Sequence, residues 1–410
     1  MASINHRDLP VGGRYGVNVI VLFLVAALMP VPLLAATGQN LTSAIGGGTA
    51  GGDIRYRFEF VDQNNSLDNA KASTLRTRLG YRTPDIAGGA AFLEFEDVRV
   101  VGGEDYNSTA NGKTAYSVVA DPEVTEVNQA YVELKGAVNS RIRVGRERII
   151  LDDARFVGNV GWRQNEQTFD GLSFMDEAVS GLAIHYAYVH NVNTVTGTDV
   201  GMETHLMNIH YDRGPVQFTA YAYLIDFNHS PLDSTKTIGV RTTWAEPLQR
   251  LNGKMNYSLE YARQTPYDKG DSRIGADYIL GEAQAVFTDS SIKVGYEVLG
   301  ADDYSGFETP LATKHAFNGW ADLFTDTPRD GLKDLYVTAG IHPVGAYSFM
   351  AVYHMFSAQR GGADYGNEYD ILLAQHMTDR LTLMANYAHY QANTFGVDTE
   401  KAWLTGELTF

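Results

Sequence analysis

From Asp53 onward, apolar and polar residues alternate along nearly every segment of the chain. Ile54, Tyr56, Phe58 and Phe60 fall on one parity, with Arg55, Arg57 and Glu59 on the other. Leu75, Thr77, Leu79 and Tyr81 likewise oppose Arg76, Arg78, Gly80 and Arg82. Leu93 and Phe95 oppose Glu94 and Glu96, while Val132 and Leu134 oppose Tyr131, Glu133 and Lys135. A period of two is the mark of a strand whose faces meet different surroundings. Continued to the C-terminus, the pattern predicts eighteen strands, near 53–61, 73–82, 90–100, 125–135, 140–150, 168–175, 180–190, 204–212, 215–226, 235–244, 253–263, 276–288, 291–299, 333–341, 346–356, 366–377, 380–390 and 400–410. No segment of helical period competes with them.

The connections alternate too. Gly136–Asn139, Asp176–Val179, Arg213-Gly214, Asp289-Ser290, His342–Gly345 and Thr378-Asp379 are short, whereas Val101–Val124 and Gly300–Leu332 are long. Short turns at one end and long loops at the other describe a transmembrane antiparallel β-barrel, with periplasmic turns and extracellular loops. A closed sheet crosses lipid because it pairs every backbone donor and acceptor. The apolar face then meets lipid, with Tyr56, Tyr81, Tyr186, Tyr188, Tyr257, Tyr261, Tyr353 and Tyr387 as candidates for the interfacial girdles. A barrel of this width leaves an aqueous lumen unless loops obstruct it.

The N-terminus supplies the address. Arg7 and Arg14 precede an apolar run over Val17–Met29, and small residues follow to Ala36. This is the layout of a cleaved secretory signal over 1–36. A flexible linker is expected over 37–52 and the barrel over 53–410, in the bacterial outer membrane. The precursor has net charge −17, which argues against nucleic acid as a partner. Cysteine is absent, excluding disulfides, thiolate metal sites and covalent c-type haem. No cofactor or metal site is expected; the acidic loop residues Asp302, Asp303, Asp322 and Asp326 read as hydrated rather than as a calcium site.

The channel-lining candidates follow from parity: Arg55, Arg57, Arg76, Arg78, Arg82, Glu94, Glu96, Glu133, Lys135 and Arg143. The arginines either bind solute or pair across strands with Glu94 and Glu96, which is ordinary sheet chemistry. Between Arg141 and Arg163, six guanidinium groups fall within 23 residues. Guanidinium grips carboxylates through a planar fork. Arg141 and Arg143 share one parity, Arg146 and Arg148 the other. Either Gly145 is a bulge that resets the register, the favoured option, or the second pair leaves the bilayer zone. Leu151–Gln167 and Gly300–Leu332 are expected to fold into the lumen, one or both. Arg146, Arg148, Asp152, Asp153, Arg155, Trp162 and Arg163 are the constriction candidates.

The runs DPEVTEVNQAYVEL (121–134), VGRERIILDDARFVGNVGWRQNEQTFDG (144–171) and GFETPLATKHAFNGWADLFTDTPRDGLKDLYV (306–337) resemble the alginate export family of outer-membrane porins. FEDVRVVGGEDYN (95–107) and DYGNEYD (364–370) agree. The resemblance implies a monomeric conduit with a lumen lined by arginine and lysine that passes a polyuronate. On this chain's own residues the inward face is mixed, since Glu59, Glu94, Glu96, Glu133, Glu260 and Glu297 oppose the cations. A polyanion channel would bias that ring toward positive charge. The expectation is therefore a non-enzymatic porin for small polar or anionic solutes or oligosaccharides, with a dedicated exporter of an alginate-like polysaccharide as the alternative. A sheath around a periplasmic electron carrier and a barrel lipid hydrolase rank lower. Neither Gly-x-Ser-x-Gly nor His-Glu-x-x-His occurs.

Overall fold

The computed structural model describes residues 46–136, 139–249, 251–344 and 347–410, without the side chains of 342–344. The expected signal segment and the start of the linker lie outside these residues. The described residues form eighteen strands: β1 (Thr49–Gln63), β2 (Ala70–Arg82), β3 (Gly89–Asp105), β4 (Val124–Lys135), β5 (Ser140–Glu147), β6 (Thr168–Asp176), β7 (Leu182–Asn193), β8 (Asp199–Arg213), β9 (Val216–Ile225), β10 (Thr235–Leu248), β11 (Gly253–Pro266), β12 (Asp277–Val286), β13 (Ser290–Leu299), β14 (Leu332–Val344), β15 (Tyr347–Ser357), β16 (Asp364–His376), β17 (Leu381–Ala392) and β18 (Thr399–Thr409). Each corresponds to one strand expected from the alternation. β1 starts at Thr49, inside the segment expected as linker.

Every strand pairs antiparallel with its sequence neighbours, and β18 closes on β1 from Asp53↔Thr409 to Gln63↔Thr399. The sheet therefore has no free edge. This is a transmembrane β-barrel with short turns at one end and long loops (106–123, 148–167, 300–331) at the other. Among the described residues no helix is long and apolar enough to span a membrane.

The alternation sorts as expected. Leu79, Phe95, Val144, Ile238, Val240, Leu259, Ile292, Leu373 and Leu404 are exposed on the outside. Such a band is stable against acyl chains and would be a liability in water. Arg57, Glu59, Arg76, Glu96, Glu297, Asp334 and Glu368 are buried on the inside.

The interior is less uniformly polar than the sequence suggested. Tyr221 and Tyr223 of β9, Tyr278 of β12, Phe356 of β15 and Trp403 of β18 point inward. They pack with loop residues Phe156, Phe307, Leu311 and Phe324 into an apolar core within the barrel. Alternation identifies which face a residue occupies, but not whether a loop will cover it.

Gly145 is no register bulge. β5 pairs without a shift to β4 (Ala130↔Arg146 to Lys135↔Arg141) and to β6 (Ser140↔Asp176 to Glu147↔Phe169). The register breaks lie elsewhere: Asn128 of β4 is the extra residue opposite Glu94/Phe95 of β3, and His190 of β7 the extra residue opposite Asp170/Gly171 of β6. Gly145 instead has φ +132°, and a Cβ there would collide with the Ala130 carbonyl. The glycine serves close backbone approach.

Candidate functional site: a lumen crossed by two loops

Loop 148–167 leaves β5 and runs across the lumen. At one wall its backbone is held by the arginines of β1. Arg55 donates to the Gln164 side chain (3.0 Å), to the Gly161 carbonyl (2.9 Å) and to the Arg163 carbonyl. Arg57 donates to the Trp162 carbonyl and lies over its ring, 4.2 Å from the centroid. Gln164 donates to Thr74 of β2 (2.8 Å), and its N–H donates to Asp121 (2.9 Å). Toward the other wall, Arg155 donates to Glu297 of β13 (2.6 Å). Asp152 accepts from Asn208 of β8 (2.6 Å), and Asp153 pairs with Arg241 of β10.

Loop 300–331 folds in beside it. Val157 and Leu311 form a parallel bridge, with Gly158 N–H donating to Leu311 O (2.8 Å) and Thr313 N–H to Ala154 O (3.0 Å). A Cβ on Gly158 would strike the Thr313 hydroxyl, so only glycine permits this approach. Arg163 joins both loops to the wall: it reaches Glu59 (3.1 Å), Asp121 (3.8 Å) and Asp322 (3.2 Å). Asp322 also accepts from Lys401 of β18 (2.8 Å) and contacts His315 (2.7 Å), whose ring stacks on Trp162 at 4.0 Å. Burial alone would raise the Asp322 carboxyl; His315, Lys401 and Arg163 outweigh it and hold the group well below the usual range. Burial likewise opposes ionisation of Glu166, yet Arg78 and Arg148 bring its carboxyl down to about 2. Desolvated carboxylates of this kind stay charged only while their cations remain.

The expected lining residues are placed as follows. Arg76 pairs with Asp53 of β1 and with Glu407 of β18 (3.3 Å), and Arg78 with Glu96 and Glu166. Glu94 accepts from Asn128 (2.8 Å) and Gln129 (2.9 Å). Toward the short-turn end, Arg82 (2.8 Å) and Arg143 (2.7 Å) share Glu133, while Lys135 sits half-exposed against Asp85. Of the arginines at 76, 78 and 82, only Arg78 uses the expected cross-strand partner. Arg55 and Arg57 grip loop backbone rather than facing open water.

Arg148 lies inside, bidentate on Glu166, because β5 has ended and the chain has turned inward. Arg146 does not belong to the constriction. It shares the parity of the exposed Ile142 and Val144 and makes two bonds to Asp170 (2.7 and 2.9 Å) on the outer side of the wall. With no bulge at Gly145, strand parity carries it outward.

Sequence reasoning did not single out several residues that organise the site. Glu166, Gln164 and Asn165 are fully buried within the loop. On the far wall, Asn318 bridges Arg155, Glu297 and Asp334, while Glu368 and Asp370 of β16 accept the Ala321 (2.6 Å) and Trp320 (3.4 Å) N–H groups. A readable signal was present in the parity of β14–β16, where Asp334, His354, Glu368 and Asp370 fall on the inward face. Asp326 and Asp303 pair with Lys314 and Arg360 respectively, so the acidic loop residues are dispersed among separate cations.

Segment 315–322 separates two lumen cavities. One, of about 440 Å³, is lined by Arg163, Lys314, His315, Asp322 and Lys401 with Val61 and Val160. The other, of about 410 Å³, is lined by Glu282, Glu297, Asp334, Phe317, Trp320 and Tyr336.

A family model described as alginate export matches residues 48–361. No curated protein sequence matches the chain. Among solved structures, the barrel is similar to OccK1 (OpdK) of Pseudomonas aeruginosa, at 12% identity and TM-score 0.72, over 89% of this chain and 99% of that one. OccAB4 of Acinetobacter baumannii aligns at 14% identity and TM-score 0.71, over 88% and 98% of the two chains. The OpdK structure with vanillate aligns at 13% and 0.71, over 89% and 99%. At such identities the likeness establishes the fold alone.

Proposed function

The chain belongs to the alginate export family, and on that premise we propose that it is an outer-membrane channel for passive diffusion of small polar or anionic solutes. The observation that carries this is the partitioned lumen: loops 148–167 and 300–331 meet across it and leave small cavities on either side of segment 315–322. A bore narrowed in this way sieves small molecules. The buried Arg55, Arg57, Arg76 and Arg78 act mainly as the frame that seats loop 148–167, while Arg163 and Lys401, both paired with Asp322, line the narrowing itself. Fields are strongest there, between walls of low dielectric. The vanillate in the OpdK structure supports solutes of that size for a barrel of this shape.

Dedicated export of an anionic polysaccharide is the alternative, supported by the family description. It requires a continuous basic bore, whereas the basic wall here is largely covered by loop. Reconstitution of the purified protein in a planar bilayer separates the two. Stepwise KCl conductance, insensitive to added polyuronate, is expected for a small-solute channel. Block by micromolar polyuronate would favour the exporter, and absence of conductance would overturn the channel.

A further inference from the structure

The charges left over after pairing fix where an anion preference can arise. At the narrowing no cation is left over. Arg163 is shared by Glu59, Asp121 and Asp322, Lys401 pairs with Asp322, and Lys314 pairs with Asp326. Arg155 is committed to Glu297, Arg241 to Asp153 and Glu260, and Lys293 to Glu282. Arg55 and Arg57 spend their donors on loop carbonyls. The carboxylates without a lysine or arginine, Asp334, Glu368 and Asp370, are each 1% exposed or less and are closed over by Asn318, Trp320 and Ala321. They do not face the water of the lumen.

Arg141 is different. It lies at the short-turn end of β5, half-buried, on the inward parity of Arg143. The inward row that crosses the wall at its level runs Lys135 (β4), Arg141, Met175 (β6), His185 (β7) and Asn208 (β8), with no carboxylate among them. Its Nε donates to the Met175 thioether (3.1 Å), a weak acceptor. Among the described residues its two Nη groups have no partner, and unlike Nη1 of Arg76 they are not sealed from solvent. The nearby carboxylates are already taken: Glu133 by Arg82 and Arg143, Glu147 by Arg143, and Asp85 by Lys135 and Arg82. On this part of the wall Arg82, Lys135, Arg141 and Arg143 thus face Asp85, Glu133 and Glu147, and Arg141 is the surplus. Lys254 of β11 and Asp212 of β8 also lack an ion pair on the inward parity; both are exposed at strand ends, and their charges offset one another.

We propose that Arg141 sets the anion preference of the channel, as a carboxylate-receiving contact at its short-turn mouth. The free Nη fork takes a carboxylate in two parallel hydrogen bonds. Selectivity is then decided where solutes meet the mouth, while the narrowing sieves by size. This rests on the lumen being the solute path.

The test compares the full-length protein with Arg141→Gln and Arg141→Lys, by reversal potential in a KCl gradient and by single-channel block with propionate. Arg141 holds no ion pair, so neither change strips a buried carboxylate of its cation. The unmodified channel is expected to prefer chloride. Arg141→Gln is expected to lower the chloride-to-potassium permeability ratio about threefold at an ionic strength of about 0.1 M, the effect of one unit charge about 7 Å from the ion path. It is also expected to raise the half-blocking concentration of propionate about tenfold, the worth of one charge-assisted hydrogen bond. Arg141→Lys keeps the charge and is expected to keep the permeability ratio. No chloride preference in the unmodified channel would overturn the inference, as would an unchanged ratio or an unchanged block in Arg141→Gln. A ratio lost equally in Arg141→Lys would make the residue structural and overturn it too. Each of these leaves the channel standing, whereas absence of KCl conductance in the unmodified protein would overturn the channel itself.

Discussion

The β1–β2 wall and the β13–β16 wall both bury charge inside the barrel, but they treat it differently. On the first, Arg55 and Arg57 spend their donors on loop carbonyls and a ring, and Arg76 and Arg78 on facing carboxylates. On the second, carboxylates accept loop amides: Glu368 takes the Ala321 N–H and Asp370 the Trp320 N–H. One wall holds its loop by the carbonyls and the other by the amides. An irregular loop has both kinds of backbone group to satisfy once it leaves water, so charges of opposite sign can anchor opposite faces of the same crossing. Among the described residues, Asp334, Glu368 and Asp370 of the acidic wall have no lysine or arginine within ion-pair distance, and His354 lies between Asp334 (2.9 Å) and Asp370 (3.5 Å).

The most disruptive test of this comparison is removal of Phe307–Asp326, which strips the acidic wall of its loop. Single-channel conductance should rise several-fold; an unchanged conductance would mean that loop 300–331 does not limit flow. Next, Arg163→Ala leaves Glu59 and Asp121 buried without their cation, each 1% exposed. A loss of about 3–5 kcal/mol is expected, read as a lower urea midpoint for unfolding from micelles, together with a weaker anion preference in the reversal potential.

Acid should act on loop 148–167 through Glu166. The folded Glu166 carboxyl, at about 2, lies below its ordinary value near 4.3. Its contribution to stability is therefore complete above that ordinary value and lost as pH falls toward 2. Trp162 fluorescence should report loop release across that window, and Glu166→Gln should flatten the profile while lowering stability at neutral pH. A profile identical to that of the unmodified protein would remove Glu166 from the seat. The smallest effect belongs to Arg146→Ala. This residue lies outside the lumen and pairs at the outer surface, so a change of about 1 kcal/mol or less is expected, with no change in reversal potential. A shifted selectivity would place Arg146 back inside.

Much of this was legible in the chain. All eighteen strands could be read from period-two alternation, because lipid outside and polar groups inside impose the same rule on every strand. The inward placement of Arg57, Arg78, Glu96 and Glu133 follows from the same parity. Arg146 was misplaced because a glycine in a strand can signal either a bulge or a close approach, and the pattern does not distinguish them. Tyr221, Tyr223 and Trp403 fell on the inward face by parity, but nothing local indicated that Phe156 and Phe307 would arrive to cover them. Asn318 and Asp322 sit in an irregular loop with positive φ (56° and 61°), where no periodicity exists to read.

The sequence by itself determined the barrel, the strand count and the face each strand residue occupies, since those depend on neighbours two residues apart. Only the tertiary structure decided that loops 148–167 and 300–331 meet inside, which charges they neutralise and which they leave unpaired. Contacts such as Arg155–Glu297 and Lys401–Asp322 join residues distant along the chain. Their partners are selected by closure of the sheet, which brings β1, β13 and β18 around one lumen before any local pattern can specify who faces whom.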